Sequence, residues 1–274
     1  MTDTVEHRTE DGIATIAMNR PEHRNSFTLE MTDGLLDALE RAENDPATRV
    51  VVITSTGDHF SVGRDNSDTD PPPYPPADHL RGRSSLLRHA RLVTLLHEMN
   101  TPSIAEIRGG CAGAGMSFAL NCDLRYASTT AVMSTAFVKV AFGGDLGGPW
   151  QLTRLLGPAR ATELMLLSSK LRGPQLREWG LVNDVLAAEE LSARVREVAT
   201  ELASRSTTGI AAARRNLQAA MTLSLGDYLP IEAEQFARCA ASPDAEEARS
   251  AFVEKRPARF AGLEGHDDGG HGHA

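Results

Sequence analysis

The stretch RVVVIT, residues 49–54, constrains this chain more than any other. Three valines, an isoleucine and a threonine in unbroken succession are β-branched side chains, which pack well on a pleated surface. An unbroken apolar run, in place of strict alternation, marks a strand covered on both faces, as in parallel sheets. Parallel neighbours need crossover connections, so the flanking sequence has to supply helices. It does. Residues 12–18 (GIATIAM) read as a strand, and residues 28–42 as a helix with Met31, Leu35, Ala38, Leu39 and Ala42 at helical spacing. Further strands are expected at 103–107, 123–127, 131–134 and 181–185, with a helix at 115–121 and a mostly helical pattern from Pro149 onward. The implied class is α/β: a core over 1–200, a helical region over 201–262 and a tail over 263–274.

With 274 residues there is enough chain for a sizeable core. A net charge of -9 gives no overall positive field to hold nucleic acid or an anionic membrane, so neither is an expected partner. The cysteines, Cys111, Cys122 and Cys239, form no CxxC pair and are odd in number. That argues against a disulfide framework and a zinc ribbon, and for a reducing cytoplasm. The N-terminal MTDTVEHRTEDG carries acids where a signal peptide carries lysines, and no window approaches the ~20 apolar residues of a membrane span.

Two segments do not read as packed structure. Residues 66–79 (NSDTDPPPYPPADH) form a proline-rich, acidic loop, either a passive linker or a lid over a site. The tail EGHDDGGHGHA contains His266, His271 and His273, but its Gly-rich acidic composition reads as disorder, and no metal site is assigned to it.

Three glycine-rich segments are candidates for chemistry. GDHFSVGRD, residues 57–65, directly follows the RVVVIT strand, and ligands in α/β sheets gather beyond the carboxyl ends of strands. GGCAGAGMSFAL, residues 109–120, leads from a strand into a helix whose first N–H groups suit a phosphate or an oxyanion. It lacks the Gly-Lys-Ser/Thr of a phosphate-binding loop and the register of GxGxxG, and around Ser117 it misses the final glycine of GxSxG. Ser117 then reads as a helix residue facing an interior pocket. The third segment, VAFGGDLGGPWQLTR at 140–154, sets Asp145 between two Gly-Gly pairs. Local sequence leaves Asp145 as either a turn residue or an active-site acid.

Six stretches in order, NRPEHRNSFTLEM, ITSTGDHFSVGRD, IRGGCAGAGMSFALNCDLRYAS, GGDLGGPWQLTRLLGPARATELMLLSS, REWGLVNDV and AFVEKRPARFAG, resemble the enoyl-CoA hydratase/isomerase (crotonase) superfamily from about Gly12 to Gly262. The resemblance implies a spiral of ββα repeats, a helical C-terminal region that forms a homotrimer or a dimer of trimers, and an acyl-CoA thioester substrate with no separate cofactor. It further implies an oxyanion hole made by the backbone N–H groups of Arg64 and Ala114, which would stabilise a thioester enolate. For coenzyme A it points to Arg24, to the turn of Arg64, Asp65 and Asn66, and to Lys255, with the Arg64 guanidinium a candidate for the phosphates.

Hydratases of this family use two glutamates, and the positions aligned with them hold Ser117 and Phe137 here. Asp145 stands where isomerase branches carry an aspartate, and AF…GGDLGGPWQL is most similar to the ring-epoxyphenylacetyl-CoA isomerases. Gly144 and Pro149 depart from that branch, which carries proline and threonine there. The expected activity is isomerisation of an enoyl- or epoxyacyl-CoA by Asp145, with Phe137, Phe142 and Trp150 as apolar pocket walls. The alternatives are hydration of a 2-enoyl-CoA, a catalytically silent acyl-CoA-binding protein and, last, dehalogenation of an aryl-CoA.

Overall fold

The computed structural model describes residues 4–65 and 79–260. Strands β1 (Val5–Glu10) and β2 (Ile13–Met18) form a hairpin whose turn residues, Asp11 and Gly12, both have positive φ (53° and 77°). An Asp-Gly pair adopts such a two-residue turn readily. Helix α1 (Leu29–Asn44) starts at Thr28, whose side chain accepts the Met31 amide at 3.1 Å, and buries the expected face of Met31, Leu35, Ala38, Leu39 and Ala42. It leads to β3 (Val50–Ser55), and α2 (His79–Glu98) leads to β4 (Ser103–Ile107).

From β4 onward, strands are dealt to two sheets. β4 is followed by β5 (Gly110–Ala112) and α3 (Ala114–Leu120), and β6 (Leu124–Ser128) by β7 (Val132–Ser134) and α4 (Gly148–Leu167). Then come β8 (Leu171–Arg172), α5 (Pro174–Glu178) and β9 (Asp184–Leu186). The large sheet has the order β1-β2-β3-β4-β6-β9, parallel except for β1, and the small sheet the order β5-β7-β8. A two-strand, one-helix repeat thus winds through the centre of the chain. The last strand sits slightly later than the expected 181–185, because Leu181 and Val182 are buried in the preceding turn, where the Leu181 carbonyl accepts from Arg125 Nε at 2.8 Å.

β3 is buried as its composition demands. Val51 and Ile53 enter the main core with α1 and α3, while Val50 and Val52 face the other way, under α6 (Ala188–Ala203) through Leu191, Val195, Val198 and Ala199. Each such side chain contributes about 1.5–3 kcal/mol relative to exposure. Beyond α6 lie α7 (Thr207–Ala220), α8 (Leu225–Ala240) and α9 (Pro243–Glu254), each capped by a serine, Ser206, Ser224 and Ser242. Arg214 of α7 ties this region to the core through Asp123 at 2.9 Å and the Leu96 carbonyl at 2.8 Å. Among the described residues, no helix is long and apolar enough to cross a membrane. Asn66, the proline-rich segment as far as residue 78 and the His-rich tail lie outside the described residues.

Candidate active site

The site begins where β3 and β4 end. After β3 the chain runs alongside β5: the Ser61 amide donates to the Gly110 carbonyl at 3.2 Å, and the Ala112 amide to the Ser61 carbonyl at 2.9 Å. This brings the 61–64 turn against the entry to α3. A Cβ on Gly63 would stand 2.8 Å from the Ala112 oxygen and 3.2 Å from the Ala114 nitrogen, so no larger residue fits without displacing backbone. Gly113, at φ 53° and ψ -127°, sits in a region open to glycine and lets Ala114 begin the helix directly from β5. Ala114 therefore presents a first-turn N–H, of the kind a helix leaves without an intrahelical partner.

The residues before α1 hold the first turn in place. Asn25 is buried; its Nδ2 donates to the Thr56 and His59 carbonyls at 2.9 and 2.8 Å, and its Oδ1 accepts the Arg20 amide at 2.7 Å. The Arg24 carbonyl accepts the Val62 amide at 3.2 Å. Phe27 brackets Arg64: its amide donates to the Gly63 carbonyl at 2.7 Å, and its carbonyl accepts the Asp65 amide at 2.9 Å. In such a bridge the intervening Arg64 amide points to the opposite edge.

Beside these turns lies a cavity of about 370 Å³. Its wall takes Val62 and Arg64 from the first turn, Gly113 and Ala114 from the second, Leu86 from α2, and Ala136, Phe137 and Val140 from the short helical turn after β7. Phe142, Gly144 and Asp145 complete it from the segment entering α4. Phe142 and Val140 are about half exposed, each at 51%, an apolar rim that a bound ligand would cover.

Asp145 is half-buried on this wall. Its Oδ1 accepts the Leu146 amide at 2.8 Å and its carbonyl accepts the Gly148 amide at 2.9 Å. Leu146 points into the core and its carbonyl accepts from Asn121 at 3.0 Å, which pins the loop directly beside the acid. Burial raises the Asp145 pKa above the ordinary carboxylate value, while the Leu146 N–H and the charges of Arg64 and His89 partly offset it. The net effect is a carboxyl that holds its proton more tightly than an exposed aspartate does.

The other expected site residues are distributed unevenly. Arg64, Ala114, Phe137, Phe142 and Asp145 meet around the cavity, from separate stretches of sequence. Ser117 is buried in α3 but is not in the lining; its hydroxyl faces the start of α4, where a Cβ on Gly148 would lie 2.2 Å from it. Trp150 is also outside the lining: its ring meets His97 edge-on at 5.6 Å and carries the Arg154 guanidinium at 3.6 Å. Asp65 is buried, and its Oδ2 accepts from Arg20 at 3.0 Å and from Ser26 at 3.1 Å, bonds that brace the turn. Lys255 is exposed at the end of α9. Leu86 and His89 were missed altogether, and the signal was there: residues 79–98 carry Leu86, Leu87, Leu92, Leu95 and Leu96 at largely helical spacing.

A profile of the family described as enoyl-CoA hydratase/isomerase matches residues 8–263. The chain belongs to that family. It is 35% identical over 253 residues to the 1,2-epoxyphenylacetyl-CoA isomerase of Escherichia coli (strain K12), covering 92% of this chain and 96% of the relative. It is 28% identical over 252 residues to the crotonyl-CoA hydratase of Syntrophomonas wolfei, covering 92% and 95%. A crystal structure of an enoyl-CoA hydratase from Polaromonas sp. JS666 superposes with a TM-score of 0.86 at 27% identity, over 93% of this chain and 99% of that one. The α/β fold is therefore the crotonase type, and the chain is an acyl-CoA enzyme of this family. Among the described residues, no group of three or more His, Cys, Asp or Glu side chains could hold a metal.

Proposed function

We propose that this enzyme isomerises an enoyl- or epoxyacyl-CoA, with Asp145 carrying a proton between two carbons of the acyl group. The observation that carries the reading is that, among the described residues lining the cavity, Asp145 alone bears a carboxylate. The thioester oxygen would lie between the N–H groups of Arg64 and Ala114. As Asp145 removes a proton next to the thioester, negative charge moves onto that oxygen, and each aimed donor lowers the barrier by about 3 kcal/mol. The protonated Asp145 then returns the proton further along the chain, and the enolate collapses to the rearranged thioester. No second acid is required. Phe137, at the position aligned with one hydratase glutamate, lines the cavity and offers no group to position water.

Binding of the coenzyme A portion would draw on Arg24, which is tied to the cavity edge through Val62, and on Asn66. Lys255 would reach the phosphates from a neighbouring subunit. A homotrimer or dimer of trimers is supported by apolar side chains that the C-terminal helices leave exposed, among them Leu225 at 71%, Phe236 at 75% and Phe252 at 86%. Sedimentation of the free protein tests that assembly, and a monomer would count against it.

The reaction is tested by incubating the enzyme with 2-enoyl-, 3-enoyl- and aryl-epoxide CoA thioesters in deuterated water and following the products by mass. Double-bond migration or ring rearrangement that disappears in Asp145→Asn is the expected result. Rapid formation of 3-hydroxyacyl-CoA that survives this substitution would overturn it and favour hydration.

A further inference from the structure

The Asp145 turn is strained at the residue that follows the acid. Leu146 has φ 45°, in the left-handed region that a leucine enters only at a cost, and Gly147 continues the turn at φ 68°. Such backbone persists where its surroundings fix it. Three contacts do so at Leu146: its side chain is buried in the core, its N–H donates to Asp145 Oδ1 at 2.8 Å, and its carbonyl accepts from Asn121 Nδ2 at 3.0 Å. The last of these comes from the far end of α3. Asn121 Nδ2 also donates to the Ser117 carbonyl at 2.7 Å, and its Oδ1 accepts from Nε2 of Gln151, in the first turn of α4, at 2.9 Å. With two carbonyls on one side and an amide donor on the other, the carboxamide has a single orientation that satisfies all three partners.

Resting on the reading of Asp145 as the proton carrier, we propose that Asn121 is a positioning residue, whose carboxamide joins α3 to the Asp145 turn and to α4 and so holds the Leu146 N–H against the carboxylate. Ala114 opens α3 and Asn121 follows its last residue, about 10 Å further along the helix axis. The same short helix thus carries the proposed oxyanion donor at one end and grips the turn of the acid at the other, which sets the carboxylate relative to the enolate oxygen. Without the Asn121 amide, the Leu146 carbonyl loses its partner on α3 and the residue can leave the left-handed region. Its N–H then turns away from Oδ1, and the carboxylate loses a hydrogen bond that favours its ionised form. Burial and the charges of Arg64 and His89, which also act on Asp145, are left in place.

Asn121→Ala is the test, with two readouts. On the thioester that the wild-type enzyme turns over in the deuterium experiment, kcat should fall about 10- to 100-fold, the effect of a slightly misplaced catalytic group, with KM little changed. The rise of kcat/KM with pH should move to higher pH. The second readout is an NMR titration of isotope-labelled aspartate carboxyls, with Asp145 assigned by the signal missing in Asp145→Asn; its carboxyl should titrate at higher pH in Asn121→Ala than in wild type. Gln151→Ala removes the partner of Oδ1 and keeps both Nδ2 bonds, so it should move both readouts the same way by less, and it takes the place of Asn121→Ala should that variant fail to fold. The proposal is overturned if either readout stays at its wild-type value, or if KM rises while kcat is kept. Loss of rate without a shift in the titration is what a merely loosened helix would give. The NMR titration involves no turnover, so if Asp145→Asn keeps its isomerase activity the proton-carrier reading fails, while the hold of Asn121 on the carboxylate is still decided.

Discussion

Between residues 109 and 115 the backbone is pressed into its neighbours, whereas the turn that carries Asp145 opens outward at its start, at Phe142 and Gly143. In the first turn, Cβ atoms on Gly109 and Gly115 would lie 2.0 Å from the Asp58 carbonyl and 2.5 Å from the Ser61 carbonyl. In the second, a Cβ on Gly143 would meet nothing within 4 Å, and the neighbouring Phe142 is half exposed. The two turns contribute to one cavity by different means. One offers main-chain donors, so its demands are steric and any side chain compatible with the path will serve. The other offers a side chain, so its demand is chemical; its backbone has room at Gly143, whereas Cβ atoms on Gly144 and Gly148 would lie 2.6 Å from Pro149 and 2.2 Å from Ser117.

The largest expected effect lies in the second turn and leaves its shape alone. Asp145→Asn should lower kcat/KM for isomerisation by about 10²–10⁴, the usual worth of a positioned acid/base. Circular dichroism should be unchanged, because the amide oxygen can still accept from Leu146. A comparable loss of activity with a collapsed fold would mean that the acid is structural and the contrast between the turns is wrong.

Next comes the steric turn. Gly63 has φ 92° and faces the Ala112 carbonyl, so Gly63→Ala is strained both by its backbone and by its new Cβ. It should lower unfolding stability by about 1–3 kcal/mol in a denaturant titration. With the Arg64 and Ala114 amides as the proposed oxyanion donors, it should also cost about 10²–10³ in kcat by moving one out of line with the other. Stability lost with activity retained would separate the packing of these turns from the chemistry.

The same contrast explains what could be read from sequence. RVVVIT revealed a strand covered on both faces because Val50, Val51, Val52 and Ile53 are all buried, and α1 revealed its inner face because packing follows the helical period. β1 was not recognised although Asp11-Gly12 is a strong hairpin signal; its outer residues are exposed at the sheet edge and show no apolar pattern. β5 and β8, of three and two residues, are defined by their partners in the small sheet and carry no pattern of their own. At the site, the resemblance identified Asp145 as a candidate, but its sharing one cavity wall with Arg64 and Leu86 depends on three separate stretches of chain coming together in the fold. Trp150 and Ser117 show the reverse: they lie close to Asp145 in sequence or across a helix, and face elsewhere.

A smaller effect links the acid to stability. The folded state holds the Asp145 proton more tightly than the unfolded chain does, because burial outweighs the Leu146 N–H and the charges of Arg64 and His89. A raised carboxyl pKa makes the folded state bind more protons, so this group's contribution falls as pH rises from the ordinary carboxylate value through the folded one. Asp145→Asn should therefore match wild type at low pH and melt higher above that window. In wild type, kcat/KM should climb across the same window as the base ionises. Equal melting temperatures at every pH would show that water reaches the carboxylate freely.

The smallest effect tests how loosely the outer turn is held. Gly143 has no positive φ and open space where a Cβ would go. Gly143→Ala should therefore stabilise the protein by about 0.4–1 kcal/mol, by narrowing the unfolded ensemble. A lower melting temperature would mean that this turn closes on a neighbour in the working assembly. An unchanged fold with reduced kcat would instead mean that the carboxylate needs mobility at Gly143 to reach both carbons between which the proton moves, and the outer turn would then owe its glycines to motion as well as to space.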